Sequence, residues 1–196
     1  MFFRNVSRAE WLVLVLFIAL GIASRFFLAD IPNFKPVAAM VLFGGFFFRN
    51  AMLPVFGVIA VMVLSDMVLG VYSWPLMISV YVSLALAIVL GRKIRQRQGA
   101  ELRGWWWPIS FFGASLAMST VFYLLTNGVV WIIGGEGFYP MTLAGLIECY
   151  VAAVPFYRAT MVSDLVFTSV FVGSYALAIR FSDSAAKRGD KGTQLA

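Results

Sequence analysis

The sequence predicts an all-α protein, a polytopic membrane bundle of six transmembrane helices with both termini in the cytoplasm. Hydrophobic residues make up 62% of the 196 residues and charged residues only 12%, whereas soluble domains have roughly 45–50% and about 25%. The apolar residues form long runs, and the charged residues lie mostly in the short segments between them. The net charge of +6 is therefore typical of loops that orient a membrane protein and does not indicate nucleic-acid binding.

Prolines mark the starts of the predicted helices. Five of the seven prolines fall near the start of an apolar run, where the missing N–H costs little. Of the other two, Pro32 lies in the loop before the second span, and Pro155 is expected to kink or split the last helical region. The first segment is interpreted as an uncleaved helix and not as a signal peptide. The six predicted spans are 11–29, 36–48, 52–72, 75–91, 106–127 and 158–181, and a further apolar stretch occupies 141–156.

The distribution of basic residues favours six spans. If the N-terminus is inside, all but three of the fifteen lysines and arginines lie on the inner side, as the positive-inside rule requires. A seventh span at 141–156 would make the distribution more even. This stretch is then either a separate outer helix or the outer part of a bent last helix. Residues 1–182 form one transmembrane domain, and the polar residues 183–196 are predicted to be a disordered cytoplasmic tail.

The second span is too short to cross a bilayer alone. Residues 36–48 would make roughly 20 Å of helix, against a hydrocarbon core of about 30 Å. The preceding loop, DIPNFKP, contains two prolines. Either this loop dips to membrane depth under cover of protein, or it is an ordinary loop before a longer, tilted helix. In the first case Asn33 and Lys35 offer hydrogen-bond donors at a cavity mouth. Gly44 and Gly45 would let another helix approach closely.

Four charged residues fall at membrane depth, and all four lie toward the outer side: Arg25, Asp66, Glu148 and Asp164. Charges inside a membrane are costly and mark functional sites. Their clustering predicts a binding cavity that opens outward. The alternative is that they pair with one another, Arg25 with Asp66 and Arg158 with Asp164, and simply fix the helix packing.

Aromatic residues surround the same level. Trp74, Trp131, Tyr139 and Tyr150 are candidates for stacking against a ligand. The alternative is an interfacial aromatic belt, which is common in membrane proteins.

The sequence lacks the residues of common catalytic and metal sites. It has no histidine and one cysteine, Cys149. It contains no G-x-S-x-G or H-E-x-x-H motif and no Walker A motif. We therefore predict that the protein is not an enzyme and has neither a cofactor nor a metal site.

Three features together resemble the substrate-binding (S) subunits of energy-coupling-factor vitamin transporters. The run IPNFKPVAAMVLFGGFFFRNAMLPVFGVIAVMVLSDMVLG has a proline-bearing loop, a short helix ending in glycines and a third helix that closes with D-x-x-x-G, from Asp66 to Gly70. The segment LIECYVAAVPFYRATMVSDLVF is similar to the approach to their last helix. Ala19 and Ala23 match the small-residue motif with which such subunits dock on their membrane partner.

This resemblance implies a binding subunit in the bacterial inner membrane that captures a vitamin or similar micronutrient at its outer face. It would work with a transmembrane T component and two ATPases. Solitary cobalamin importers of the same superfamily are also similar, but they ligate cobalt with a cysteine in an outer loop. The corresponding VYSWPL has no cysteine, and Cys149 lies elsewhere. A structural membrane protein without a ligand is the remaining alternative.

Overall fold

The computed structural model describes residues 6–70, 73–98, 106–134 and 138–193, and these residues form six α-helices and no strand. All of the helices except α2 are long and apolar enough to cross a membrane. The chain is therefore a multi-pass membrane protein with an all-α bundle, as predicted. The predicted ends at 71–72 and 194–196, and the loop 99–105, lie outside the described residues. The helices are α1 (Arg8–Phe27), α2 (Val37–Phe47), α3 (Met52–Leu69), α4 (Trp74–Gln98), α5 (Trp106–Gly134) and α6 (Leu143–Thr193).

Contacts at the two ends of the bundle show that the first four helices alternate in direction. At one end, Arg25 near the end of α1 contacts Asp66 near the end of α3. At the other end, Glu10 at the start of α1 accepts a hydrogen bond of 2.9 Å from the N–H of Arg49, just after α2. Arg95 near the end of α4 reaches the same end of α2. We call the first the outer end and the second the inner end, following the sides predicted from the basic residues.

Local signals in the sequence fix several helix ends. Ser7 caps α1 through a capping box, in which its hydroxyl accepts from the N–H of Glu10 and the Glu10 carboxylate accepts from the N–H of Ser7. Gly70 ends α3 with φ of 92°, a conformation that glycine adopts without steric cost. The Arg95 guanidinium donates to the carbonyls of Phe46 and Phe47 at 3.0 and 2.9 Å, and so satisfies the last turn of α2.

Helix α2 lies in the centre of the bundle. Its 11 residues span about 16 Å, which is even less than the sequence predicts. A helix that is apolar on all sides is buried on all sides, and α2 carries no charged residue. Its buried residues are Ala39, Met40, Val41, Leu42, Phe43, Gly44, Gly45 and Phe46.

The loop before α2 is held by α6. The Ser163 hydroxyl donates to the Lys35 carbonyl at 3.0 Å, and the Phe34 ring packs against Phe167 with centroids 5.6 Å apart. Asn33 has φ of 56°, a left-handed conformation that asparagine tolerates better than most residues. The end of the loop, from Phe34 to Pro36, is therefore packed on the bundle, whereas residues 29–33 are exposed, so the loop is covered by protein only in part.

Two glycines bring the backbones of α2 and α4 together. A Cβ atom on Gly45 would overlap the carbonyl of Ile88, and a Cβ atom on Gly91 would overlap the carbonyl of Leu42. Because both obstacles are backbone atoms, the two helices could accept these side chains only by moving apart. The predicted close approach at the glycine pair is therefore made through Gly45, with Gly91 facing it.

Aromatic rings fill the bundle between α2 and the inner end. Phe43 and Phe46 of α2 meet rings from α1, α5 and α6, with centroid distances of 5.1–6.4 Å. Trp107 at the start of α5 stacks on Phe46, which places the start of α5 at the inner end. We call this group the aromatic cluster; its members are Phe17, Phe43, Phe46, Phe47, Trp107, Phe111, Phe171 and Tyr175.

The last helix is longer than predicted. Helix α6 is 51 residues long and includes Pro155, so the stretch 141–156 is not a separate helix but joins 158–181 in one element. The stretch 141–156 is therefore the outer part of the last helix, which is the second of the two alternatives that the sequence left open. The helix also runs on through 183–193, where the sequence predicts a disordered tail. Alanine, lysine and arginine in that segment are good helix formers.

Candidate functional site

A partly open cavity of about 440 Å³ lies at the outer end of the bundle. Its volume is in the range of about 300–1,000 Å³ that is usual for small-molecule sites. Residues from all six helices and from the α1–α2 loop form its wall. The lining residues are Arg25, Asn33, Lys35, Val37, Ala38, Met62, Leu76, Val80, Leu84, Phe122, Tyr123, Thr126, Asn127, Val130, Phe156, Tyr157, Thr160 and Asp164.

Four of the residues predicted to bind a ligand line this cavity. Arg25 comes from α1, Asn33 and Lys35 come from the loop before α2, and Asp164 comes from α6. They are far apart in the sequence, and the antiparallel bundle brings them together. Of the four charged residues whose clustering predicts an outer cavity, Arg25 and Asp164 line this one, whereas Asp66 and Glu148 do not.

Asp66 lies behind the cavity wall and neutralises Arg25. The Arg25 Nη2 atom donates to Asp66 Oδ1 at 2.6 Å, and the two side chains are 12% and 4% exposed. The Arg25 Nη1 atom contacts the Met62 sulfur at 3.0 Å. Asp66 Oδ2 is buried and has no hydrogen-bond partner among the described residues. The pairing alternative is therefore correct for Arg25 and Asp66, although Arg25 also faces the cavity.

The Lys35 ammonium sits at the rim without a carboxylate partner among the described residues. Its one hydrogen bond there goes to the Ile31 carbonyl at 3.4 Å. Burial lowers the pKa of Lys35 below its usual value, and the nearby Arg25 cation lowers this pKa further. A cation in such a position is better accommodated when an anion approaches it.

Asp164 is a deeply buried carboxylate on the cavity wall. It is 3% exposed, and the Ser119 hydroxyl donates to its Oδ2 atom at 2.7 Å. Arg158, the partner suggested by the sequence, is exposed and forms no ion pair with it. Deeper in the bundle, the Thr168 hydroxyl donates to the Ser115 hydroxyl at 3.1 Å. The polar side chains around Asp164 are therefore neutral hydroxyls.

Apart from Asp164, the polar residues of the cavity wall on α5 and α6 were not among the predicted site residues. Tyr123 and Tyr157 pack against each other with ring centroids 4.6 Å apart. The Thr120 and Tyr157 hydroxyls are 2.9 Å apart. A signal was present in the sequence, because 123, 126, 127 and 130 on α5, and 157, 160 and 164 on α6, repeat at helical spacing. Each set therefore shares one helix face.

The five other predicted ligand-binding residues do not line the cavity. Trp74 is 73% exposed and lines a separate shallow hollow on α4. Trp131 donates its ring N–H to the Pro140 carbonyl at 3.2 Å, and Tyr139 lies in the same α5–α6 connection. Glu148 is exposed. Tyr150 supports the wall from behind, because its hydroxyl donates to the Leu124 carbonyl at 2.8 Å.

The continuity of α6 explains why Glu148 lies away from the cavity. The sequence interpretation places Glu148 and Asp164 at one depth, on separate segments. In one continuous helix the two residues are about 24 Å apart along the axis, so they cannot both face the same small cavity.

Three further residues of interest lie outside the cavity. Ala19 is exposed and Ala23 is partly exposed on α1. The predicted docking pair is therefore not fully buried by contacts inside the bundle. Cys149 is buried, and its thiol lies 3.5 Å from the Asn127 carbonyl. Its side chain does not line the cavity.

Comparison with known proteins identifies a family but no characterised relative. No curated protein and no solved structure is significantly similar to the chain. Residues 5–186 match a family described as a family of unknown function, DUF6580. Because this match covers nearly the whole chain, the protein belongs to the DUF6580 family.

Proposed function

We propose that the protein is a membrane-embedded substrate-binding subunit that captures a vitamin or similar micronutrient at the outer face of the bacterial inner membrane. The observation that carries the proposal is the cavity of about 440 Å³ at the outer end, with Arg25, Lys35 and Asp164 in its wall. Charged groups at membrane depth are costly, and a cavity that gathers them with aromatic and apolar residues is suited to an amphipathic small molecule.

The filling of the inner half supports capture rather than conduction. The aromatic cluster occupies the bundle between the cavity and the inner end, and Phe111 and Phe46 within it are 0% and 5% exposed. Among the described residues, these packed rings lie between a ligand in the cavity and the inner end. Release on the inner side would require a rearrangement of the bundle. We propose that a T component with two ATPases supplies it, and that Ala19 and Ala23 contribute to the docking surface.

Ligand capture by the isolated chain is tested by its melting temperature. The protein, purified alone in detergent, is incubated with a water-soluble extract of bacterial cells. A ligand at 100 times its Kd adds about 2.7 kcal/mol to stability, which corresponds to a rise of about 5–10 °C in a chain of this size. We expect a rise of this order.

A matched pair of variants assigns that rise to the cavity. Ala38 lines the cavity, so Ala38→Phe places a ring in the ligand's space and should abolish the shift. Ala85→Phe makes the same change on the exposed surface of α4 and should keep it. No shift in the wild type, or an equal shift in Ala38→Phe, would argue against the proposed function.

A further inference from the structure

The charges around the cavity are not all balanced. Among the described residues, Arg25 and Asp66 form the one ion pair. Lys35 and Asp164 face the same cavity but form no ion pair with each other or with any other described residue. The cavity therefore presents one uncompensated positive group and one uncompensated carboxyl group.

Lys35 is placed to receive an anionic group. The hydroxyl of Ser163 holds the Lys35 backbone against α6, which fixes the base of the side chain near the cavity. Asp30, the nearest carboxylate in the sequence, is exposed and forms no ion pair with Lys35. The lowered pKa of Lys35 has burial and Arg25 as its causes, and no carboxylate opposes them. An acidic group of a ligand would relieve this repulsion.

Asp164 is placed to receive a hydrogen-bond donor or a cation. The Ser119 hydroxyl donates to its Oδ2 atom, and no described cation pairs with it; a basic group of a ligand would stabilise the ionised carboxylate in this buried position. Residue 164 is 3% exposed, and the surrounding side chains of α5 contribute hydroxyls and no cation. Arg25 and Lys35 line the same cavity but form no ion pair with Asp164, so a basic group of a ligand could occupy the place of a positive partner.

Resting on the proposed function, we infer that the ligand is a small amphoteric molecule whose acidic group lies at Lys35 and whose amine or other basic nitrogen lies at Asp164. Lys35 and Asp164 both line the cavity without forming an ion pair with each other, so we place the acidic and basic groups of the ligand on different atoms of its skeleton. The apolar and aromatic wall, including Phe122 and Tyr123, would contact that skeleton.

The test identifies what the purified protein retains from a bacterial cell extract. Wild-type protein is incubated with the extract and separated from free molecules by gel filtration, and bound compounds are released and identified by mass spectrometry. Retention on both cation- and anion-exchange resins classifies each compound as amphoteric or not. We expect the enriched compound to be amphoteric. A retained compound with only acidic or only basic groups overturns this inference and leaves the proposed function intact, whereas retention of nothing overturns both.

Variants assign the two groups of the ligand. Lys35→Gln and Asp164→Asn should each reduce retention at least tenfold, whereas Lys35→Arg, which keeps the cation, should retain the compound. The controls Asp30→Asn and Lys93→Gln remove exposed charges in the same loop and on α4 and should bind as the wild type does. Unchanged retention in Lys35→Gln would overturn the assignment. Melting temperatures measured without extract verify that each variant is folded, and Lys35→Gln, which lies in a loop, keeps the test decisive if Asp164→Asn does not fold.

Discussion

Replacing Asp66 with alanine is expected to lower the free energy of unfolding by about 3–5 kcal/mol, because it leaves a buried guanidinium without its counter-charge. Arg25 and Asp66 join α1 to α3 at the outer end with a contact of 2.6 Å, and neither side chain is more than 12% exposed. The Arg25 Nη1 atom contacts the sulfur of Met62, and a thioether sulfur is a weak hydrogen-bond acceptor. No second carboxylate is paired with Arg25 among the described residues.

The double variant Arg25→Met/Asp66→Ala separates the effect of the unpaired charge on stability from the effect of lost side-chain packing. Removing both members of a buried ion pair is often close to neutral, so the double variant should recover most of the stability lost in Asp66→Ala. Glu148→Ala removes an exposed carboxylate from the outer part of α6 and serves as the control. Chemical unfolding in detergent measures all three. A loss in Asp66→Ala no larger than in Glu148→Ala would show that the pair contributes little.

Alanine at Gly45 or Gly91 is expected to cost about 3 kcal/mol, at the upper end of the usual range for overpacked cores. The added methyl group would overlap backbone carbonyls of the facing helix, Ile88 in one case and Leu42 in the other. Helix α2 is enclosed by the bundle and cannot shift without disturbing the aromatic cluster. The start of α2 also forms part of the cavity wall through Val37 and Ala38, so ligand capture should fall together with stability.

Two other glycines provide matched controls for this substitution. A Cβ atom on Gly113 or on Gly173 would meet nothing within 4 Å, and both residues lie within helices. Alanine is the better helix former, so Gly113→Ala and Gly173→Ala should melt at or slightly above the wild-type temperature. If Gly45→Ala and Gly91→Ala had the same melting temperature as these controls, the inferred close approach of α2 and α4 would be contradicted. The two losses should not add in a Gly45→Ala/Gly91→Ala double variant, since both act on one interface.

The sequence was sufficient to predict the class of fold and part of the site. Composition and the positions of prolines predict a helical membrane bundle, and the brevity of 36–48 indicates a helix that other helices must cover. The sequence also predicts the depth of some residues: Arg25 and Asp66 lie near the outer ends of α1 and α3, and Asp164 lies near the outer end of the predicted span 158–181. The antiparallel arrangement then brings them together.

Helix rotation and helix length were harder to predict. Tyr123, Thr126 and Asn127 share one face of α5 and line the cavity, but none is charged, and the sequence interpretation located the site from charged and exposed aromatic residues. Pro155 left open whether 141–156 is a separate helix or the outer part of the last one, and the continuous α6 agrees with the second alternative; the error was to place Glu148 at the depth of Asp164. For aromatic residues such as Trp74, type alone does not distinguish a ligand site from an exposed surface.

The central claim is that the outer cavity holds one small molecule when the chain is alone, and native mass spectrometry of the purified protein tests it most directly. After incubation with cell extract, the wild type should carry one bound molecule per chain, and Ala85→Phe should carry the same mass. Ala38→Phe should show the mass of the bare chain. A wild-type spectrum without any bound molecule, or an unchanged bound mass in Ala38→Phe, would contradict the account.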